Sequence, residues 1–535
     1  MPPQVSPGVV PELRCAERRP TGRAARLGAL AGLAALVLYA ATGSRGVEWQ
    51  DPGIHQYRII TGQLEHPFGL ALSHPLHYWL GRAVLHVPFG APLHRLNLLS
   101  AICGAVGVGL LTALVLRLTR SALAAGLAGA TLGLAHAYWQ MSALTETYTL
   151  AAALMVMEWA CLLRYVRTRQ PAWLVAVFAC NGLHLADHLL GLLTLATYGV
   201  LLLERIVRRR LAARWLFVAG AVWLITASPY WTLVVQHWQR TGNAVETLQS
   251  AFVGGSPRSP NWGGNVLNVH VSAAQLKLAG MTFGYCFPSA AAVFALAGLL
   301  RRTRGRKCIF RWVLLAQTVL IGTFVARYTI KDLYTYFVPI CALTALWFGI
   351  GVAWLLRGWG RPATRRWLVV LLIANALLPA GVYYYFPIVA RQRGWLRSQL
   401  PDIAFREEYT HFFRPWRLDQ HSADEFSRAA LAAMGPGGWL LADSTTAYAV
   451  AVTYVVCGGP PDIRVYWWRD CLTDRTRPPL TDKDLLAHVQ QGGRVLGVPS
   501  TTVEDVVRPP LVIDRTDPFW HILVGPVSNR SARAP

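Results

Sequence analysis

Long apolar runs separated by short basic segments fill the first 390 residues of the chain. A bilayer core about 30 Å thick is crossed by roughly 20 apolar residues in a helix. The pattern therefore predicts eleven membrane-spanning helices, at residues 27–41, 96–116, 121–140, 147–163, 172–188, 189–204, 215–235, 284–300, 312–327, 333–356 and 367–387.

The positions of the arginines predict the orientation of these helices. Basic clusters occupy the N-terminal tail and every second loop, at residues 117–120, 164–169, 205–214, 301–311 and 357–366. Cytoplasmic loops carry the excess of positive charge in membrane proteins. We therefore expect a cytoplasmic N-terminus, a retained first helix and an extracytoplasmic C-terminus, in a multi-pass protein of the plasma (inner) membrane.

Three regions follow from this topology. Residues 1–26 form a basic cytoplasmic tail, residues 27–387 a transmembrane domain with external loops at 43–95 and 236–283, and residues 388–535 an extracytoplasmic domain. The last region alternates strand-like runs at 438–442, 463–467, 494–498 and 521–524 with a helical stretch at 482–491. The predicted fold class is an all-α polytopic membrane protein with a small C-terminal α/β domain.

Composition agrees with a membrane protein. Hydrophobic residues make up 54% of the chain and charged residues only 15%, whereas about a quarter of a soluble domain is charged. The net charge of +24 lies in short inter-helix clusters, so no nucleic-acid partner is predicted. Nine scattered cysteines without a CxxC pair give no zinc-binding pattern.

The densest polar motifs follow the first helix. They read Trp49-Gln50-Asp51-Pro52-Gly53, then a Gly…His-Pro…Gly element at 62–69, a Pro-Leu helix at 75–85, a Pro-Phe-Gly turn at 88–90 and Arg-x-Asn-Leu at 95–98. Their order resembles a bacterial membrane family related to protein O-mannosyltransferases, in the GT-C glycosyltransferase superfamily. The resemblance continues through Glu146-Thr147-Tyr148, 182–188 and 332–339, up to about residue 360.

The resemblance implies an inverting transfer of a sugar from a polyprenyl-phosphate donor, at the external membrane face, to a protein or glycan acceptor. Such a reaction needs a base for the acceptor hydroxyl, and Asp51 on its Pro-Gly turn is the candidate. The alternative is that Asp51 only caps the following helix or turn. The family usually has a glutamate where this chain has Ile54, which puts the activity or the substrate in question.

The departing phosphate needs positive charge. Arg327 and Lys331 are paired cations at the external end of the ninth span, with interfacial snorkelling as the alternative. Arg82 and Arg95 are further candidates, although either could only anchor the amphipathic stretch 72–87.

Several other polar residues have two interpretations each. Glu146 is a second acid or a residue of a helix N-terminal turn. His184 and His188 share one helical face at i, i+4 spacing, which suits either a substrate-binding polar cluster or a metal. His66 and His74 precede prolines, so they shape turns or contact substrate. No metal site and no cofactor are assigned, and a divalent metal is left open.

Two other functions compete with glycosyl transfer. A transporter or flippase of lipid-linked sugars would show repeats and broken helices with charge at the bilayer centre, and no repeat is evident. A non-enzymatic scaffold stays open because of Ile54. Convergence of Asp51, Glu146, Arg327 and Lys331 on one external cavity would favour transfer, whereas their dispersal would favour the scaffold.

Overall fold

The computed structural model describes residues 20–255, 263–301, 307–330, 332–358, 362–499, 506–507, 511–515 and 521–524. In these ranges the chain forms 22 α-helices, three 3-10 helices and six strands. The predicted position of Lys331 lies outside the described residues.

The membrane part comes first and is helical. Its helices are α1 Pro20–Thr42, α2 Gln50–Thr61, α3 Pro75–Leu85, α4 Pro92–Thr119, α5 Ala122–Gly133, α6 His136–Ser142, α7 Tyr148–Thr168, α8 Pro171–Asp187, α9 Gly191–Val207, α10 Arg214–Thr226, α11 Ser228–Thr241, α12 Ala244–Val253, α13 Gly263–Val266, α14 Ala273–Cys286, α15 Ala291–Leu300, α16 Lys307–Arg327, α17 Val338–Gly358 and α18 Pro362–Gln392. The 3-10 helices are Leu70–Leu72, Leu333–Phe337 and Arg397–Gln399.

Six of the described helices are long and apolar enough to cross a membrane. The number rises to eight if the bent pairs α10–α11 (71°) and α14–α15 (104°) are each one span. The predicted run 121–140 is instead divided into α5 and α6, and α8 and α9 have only 17 residues each. A multi-pass membrane protein is thus supported, while the count of eleven and the orientation stay predictions.

Small residues allow close helix contacts in this bundle. A Cβ added at Gly28 of α1 would lie 2.6 Å from the Gly109 carbonyl oxygen of α4. Residues without side chains let helix backbones approach closely in a bilayer. The first helix is therefore fixed against α4 along the Gly28 and Gly109 contact.

The C-terminal part contains a six-stranded mixed sheet. Its strands are β1 Trp439–Ala442, β2 Arg464–Trp467, β3 Asp470–Cys471, β4 Val495–Gly497, β5 Val512–Asp514 and β6 His521–Val524, in the order β3-β2-β1-β4-β6-β5. Strands β2, β1 and β4 are parallel, and the outer pairs are antiparallel. The four predicted strand runs coincide with β1, β2, β4 and β6.

Helices cover both faces of this sheet. They are α20 Ser422–Met434, α21 Ser444–Cys457 and α22 Asp482–Gln490, whereas α19 Glu408–Phe413 packs against α18. Because side chains alternate along a strand, Leu440 of β1 packs on the face shared with α20 and α21, and Leu441 on the face shared with α22. The first of these faces also receives Ile54 and Tyr57 of α2, so the sheet domain packs directly on the segment that follows the first helix.

Candidate active site

Helix α2 presents two different faces. Asp51, His55 and Arg58 recur at i, i+4 and i+7 and therefore share one side of the helix. Ile54 and Tyr57 lie on another side and pack in the apolar cluster of the sheet domain. Ile54, at the position where the resembling family usually has a glutamate, is thus a core residue. The side chain of the next residue, His55, points to the polar side of the helix.

Asp51 lies in the first turn of α2, and not on the predicted Pro-Gly turn. The N-cap position is Trp49, which makes no side-chain capping bond. Gly62 closes the other end of the helix in the left-handed conformation, with φ of 75°. A contact with the sheet domain stabilises the helix, because the Tyr57 hydroxyl donates a hydrogen bond to the Leu472 carbonyl at 2.6 Å.

Four carboxyl groups line one cleft at the start of α2. They are Glu48 from the segment before α2, Asp51 from its first turn, Glu146 from the turn before α7, and Asp332 from the turn before the 3-10 helix Leu333–Phe337. The cleft has a volume of about 20 Å³, which is room for roughly one water molecule. The cleft as it stands has no room for a larger molecule.

The carboxyl group of Asp51 is accessible to solvent yet surrounded by protein on the sides of the cleft. Desolvation, followed by the nearby charge of Asp332, raises the pKa of Asp51 to about 7. A carboxylate with a pKa near neutrality is a stronger base than an ordinary aspartate. The position thus suits proton abstraction from a hydroxyl group.

Glu146 is buried and fixed by its backbone. Its N–H donates to Ser100 Oγ at 2.9 Å, and Ser100 Oγ donates to the Glu146 carbonyl at 3.0 Å. Burial, and then the charge of Asp51, raises the pKa of Glu146 well above its usual value. His55 Nε2 lies 3.7 Å from Glu146 Oε2, which connects this acid to the polar face of α2.

A polar network extends from His55 along α2 to α3. His55 Nδ1 lies 2.8 Å from the Tyr78 hydroxyl, and Arg58 Nη1 donates to the same oxygen at 2.5 Å. Arg58 is fully buried, and its Nη2 donates to the Leu64 carbonyl at 2.5 Å. Burial, and then the charge of Arg58, lowers the pKa of His66 well below its usual value.

The remaining predicted histidines lie close to this network but not on the cleft. His74 Nδ1 is 2.6 Å from the Asp187 carbonyl oxygen, and the His74 ring lies 5.1 Å from the His188 ring. His184 turns to a separate buried pair, with its Nδ1 2.9 Å from Glu158 Oε1. Within the described ranges no group of three or more His, Cys, Asp or Glu residues is placed to hold a metal ion.

Among the described residues, the predicted cations Arg327, Arg95 and Arg82 do not line the carboxyl cleft. Arg327 Nη1 donates to the Asn268 carbonyl at 2.7 Å, and its guanidinium lies over the Phe324 ring. Arg95 Nη1 donates to the Leu85 carbonyl at 2.8 Å and also to the Val87 carbonyl. Its side chain therefore caps the C-terminal end of α3. Arg82 is exposed beside Gly62.

Arg417 is the cation that sequence reasoning missed. Among the described residues that line the cleft, Arg417 is the only arginine or lysine. Its exposed fraction is 2%. Its backbone N–H donates to the Thr42 carbonyl at 2.6 Å, and its Nη1 lies 3.3 Å from His411 Nδ1. No local motif marks this arginine, since the segment 388–535 contains many others.

Comparison with known proteins agrees with the resemblance seen in the motifs. Residues 58–210 match the family described as the protein O-mannosyl-transferase TMEM260 N-terminal domain. Over these residues the chain is similar to a domain of a protein O-mannosyl-transferase. No curated protein matches the chain as a relative.

Solved structures show the same GT-C-like fold. The crystal structure of ArnT from Cupriavidus metallidurans bound to undecaprenyl phosphate is 16% identical and has a TM-score of 0.55, covering 94% of this chain and 98% of that chain. ArnT of the same organism in the apo state is 17% identical with a TM-score of 0.53, covering 95% and 98%. The chain therefore shares the fold of these structures across both its membrane part and its sheet domain.

Proposed function

We propose that this protein is a membrane glycosyltransferase that uses a polyprenyl-phosphate-linked sugar. The acceptor is a hydroxyl group of a protein or glycan, on the external side of the membrane. The observation that carries the proposal is the meeting of Asp51, Glu146 and Asp332 with Arg417 in one cleft. The family relationship, and the similar fold of an ArnT structure bound to undecaprenyl phosphate, support it.

In the proposed reaction Asp51 is the general base. Its carboxylate takes the proton of the acceptor hydroxyl while that oxygen forms a bond to the anomeric carbon of the sugar. The bond from this carbon to the phosphate oxygen breaks on the opposite face, and the phosphate leaves with the electron pair. The configuration at the anomeric carbon is therefore inverted.

Arg417 and Glu146 have complementary roles in this proposal. The buried Arg417 guanidinium stabilises the negative charge that develops on the departing phosphate. Arg327 and Lys331 remain candidates for binding the donor outside the cleft. Glu146 lies next to His55, and burial raises its pKa. In this proposal it donates a proton or a hydrogen bond to sugar hydroxyls.

The alternative of a flippase receives no comparable support. Its expected mark is a broken helix with charge at the break. The two bent pairs break at Ala227 and at residues 287–290, which carry no charged side chain.

The test is transfer from a radiolabelled polyprenyl-phosphate sugar by membranes that contain the wild type or Asp51→Asn at matched expression. The matched control is Asp402→Asn, because the Asp402 side chain is 87% exposed and forms an ion pair with Arg397, at 3.3 Å, away from the cleft. We expect Asp51→Asn to lose at least 100-fold in rate, as general-base residues contribute about 10²–10⁴. Equal rates for wild type and Asp51→Asn, with an active control, would show that Asp51 is not the base.

A further inference from the structure

A second concave region lies at the far end of α2 from Asp51. Two adjoining cavities, of about 540 and about 570 Å³, share Gln63, Glu65, Arg240 and Arg475 in their walls. We call the two together the groove. Helix α2 has 12 residues, so at 1.5 Å per residue the groove begins roughly 18 Å from the carboxyl cleft.

Three distant parts of the chain form the groove. The turn after α2 gives Gln63 and Glu65, helix α11 gives Arg240, and the loop after β3 in the sheet domain gives Arg475. Glu65 fixes the wall on one side, since its Oε1 lies 2.7 Å from His237 Nδ1 and its Oε2 pairs with Arg240. The groove thus exists only where the membrane part and the sheet domain meet.

The side chains of the groove offer both donors and acceptors of hydrogen bonds. Gln63, Gln236 and Gln239 are amides, Glu65 and Glu246 are carboxylates, and Arg240, Arg475 and Arg477 are guanidinium groups. A sugar hydroxyl donates one hydrogen bond and accepts others, so it needs both types of partner. With the Gln63 amide oxygen turned to the Arg475 guanidinium, this oxygen lies 2.5 Å from Nε and 2.8 Å from Nη2, so the two side chains are in direct contact.

Two other ligand classes fit less well. A phosphate group would meet the carboxyl groups of Glu65, Glu246 and Asp470 in the same walls. A peptide added as a strand would need a long free sheet edge, but β3 is two residues long. The backbone N–H of Leu480 next to it already donates to the Arg469 carbonyl at 2.7 Å.

The dimensions of the groove favour an extended ligand. Each cavity falls in the range of about 300–1,000 Å³ that small-molecule sites occupy, and the two adjoin at Glu65 and Arg475. Tyr448 and Trp467 of the sheet domain lie behind the wall, where they are only 2% and 5% exposed. The polar side chains along the groove fit the hydroxyl groups of several linked sugar rings.

We infer that the groove binds a neutral oligosaccharide, separately from the carboxyl cleft. Its identification as part of the acceptor rests on the proposed function. Binding itself requires neither Asp51 nor a donor, because the groove lies a helix length from the cleft.

The test uses the full-length protein in detergent and measures binding of maltohexaose, mannohexaose and chitohexaose by saturation-transfer NMR and calorimetry. Variants Arg475→Ala and Gln63→Ala remove groove contacts. Their matched controls are Arg428→Ala and Gln490→Ala, exposed residues of α20 and α22 that do not line the groove. We expect at least one hexasaccharide to bind, with a dissociation constant raised at least fivefold in the groove variants and unchanged in the controls.

The same measurements separate this inference from the proposed function. Asp51→Asn should bind the hexasaccharide as the wild type does, even if it transfers no sugar. Loss of transfer with retained binding leaves the groove assignment intact. Absence of binding for all three hexasaccharides, equal binding by groove and control variants, or displacement of the sugar by millimolar inorganic phosphate would each overturn it.

Discussion

The raised pKa of Asp51 leads to a definite pH dependence of sugar transfer. With a pKa of about 7, roughly one tenth of Asp51 is ionised at pH 6 and about nine tenths at pH 8. Because the proposed base must be ionised, kcat/KM should increase about ninefold between these values. An aspartate with its ordinary pKa of about 3.9 would be ionised at both, and the profile would be flat.

The neighbouring Asp332 allows a second, independent test of the same reasoning. Its negative charge raises the pKa of Asp51, although burial is the larger cause. Asp332→Asn should therefore move the midpoint of the profile to lower pH without bringing it to the value of a free aspartate. Asp402→Asn, whose side chain is 87% exposed, serves as the charge-matched control and should leave the midpoint unchanged.

The stability of the folded protein must be measured in the same experiment, because it decreases with increasing pH whereas the transfer rate increases. The pKa of Asp51 is higher in the folded than in the unfolded protein, so the protonated form favours folding. This contribution is present below pH 4 and is lost as pH increases through about 7. Initial rates at constant ionic strength, normalised to folded protein, test the prediction. A rate independent of pH from 5.5 to 8, or a midpoint below pH 5, would refute it.

Two further substitutions test the packing around the site. Ile54→Glu restores the acid of the family but places it in the apolar cluster of the sheet domain, where Ile54 is 4% exposed. Ile54→Glu should lower the free energy of unfolding by about 3 kcal/mol or more and lower Tm, whereas Ile54→Val should lower this free energy by only about 1 kcal/mol. Equal Tm values in thermal unfolding would contradict this. Arg95→Met removes the guanidinium from the carbonyls at the end of α3 and should cost about 1–3 kcal/mol. Transfer per folded molecule should persist, and its loss at unchanged Tm would instead make Arg95 a substrate-binding residue.

The pattern of apolar residues predicted continuous helices better than interrupted ones. The runs at 96–116 and 147–163 correspond to α4 and α7, which are among the six candidate spans. The run at 121–140 did not indicate the break between α5 and α6, because apolar composition records burial and not the backbone geometry at Leu134 and Ala135. Helix count depends on such breaks, so composition alone could not determine it.

Residue chemistry predicted part of the candidate site. Asp51 and Glu146 were identified from the motifs, and they do line one cleft. Arg417 was missed because its closeness to Thr42 depends on the packing of the sheet domain and not on any local motif. Ile54 stood out only as a departure from the family, whereas the structure gives its physical role as a core residue of α2.

The packing of α2 against the sheet domain also constrains the order of biosynthesis. Tyr57 bonds to Leu472, 415 positions later, and Trp49 bonds to Ser422, 373 positions later. Because contacts of such long sequence separation form late, the ribosome has made most of the polypeptide before α2 finds its final partners. A truncated or stalled chain would thus insert its membrane helices without completing the carboxyl cleft.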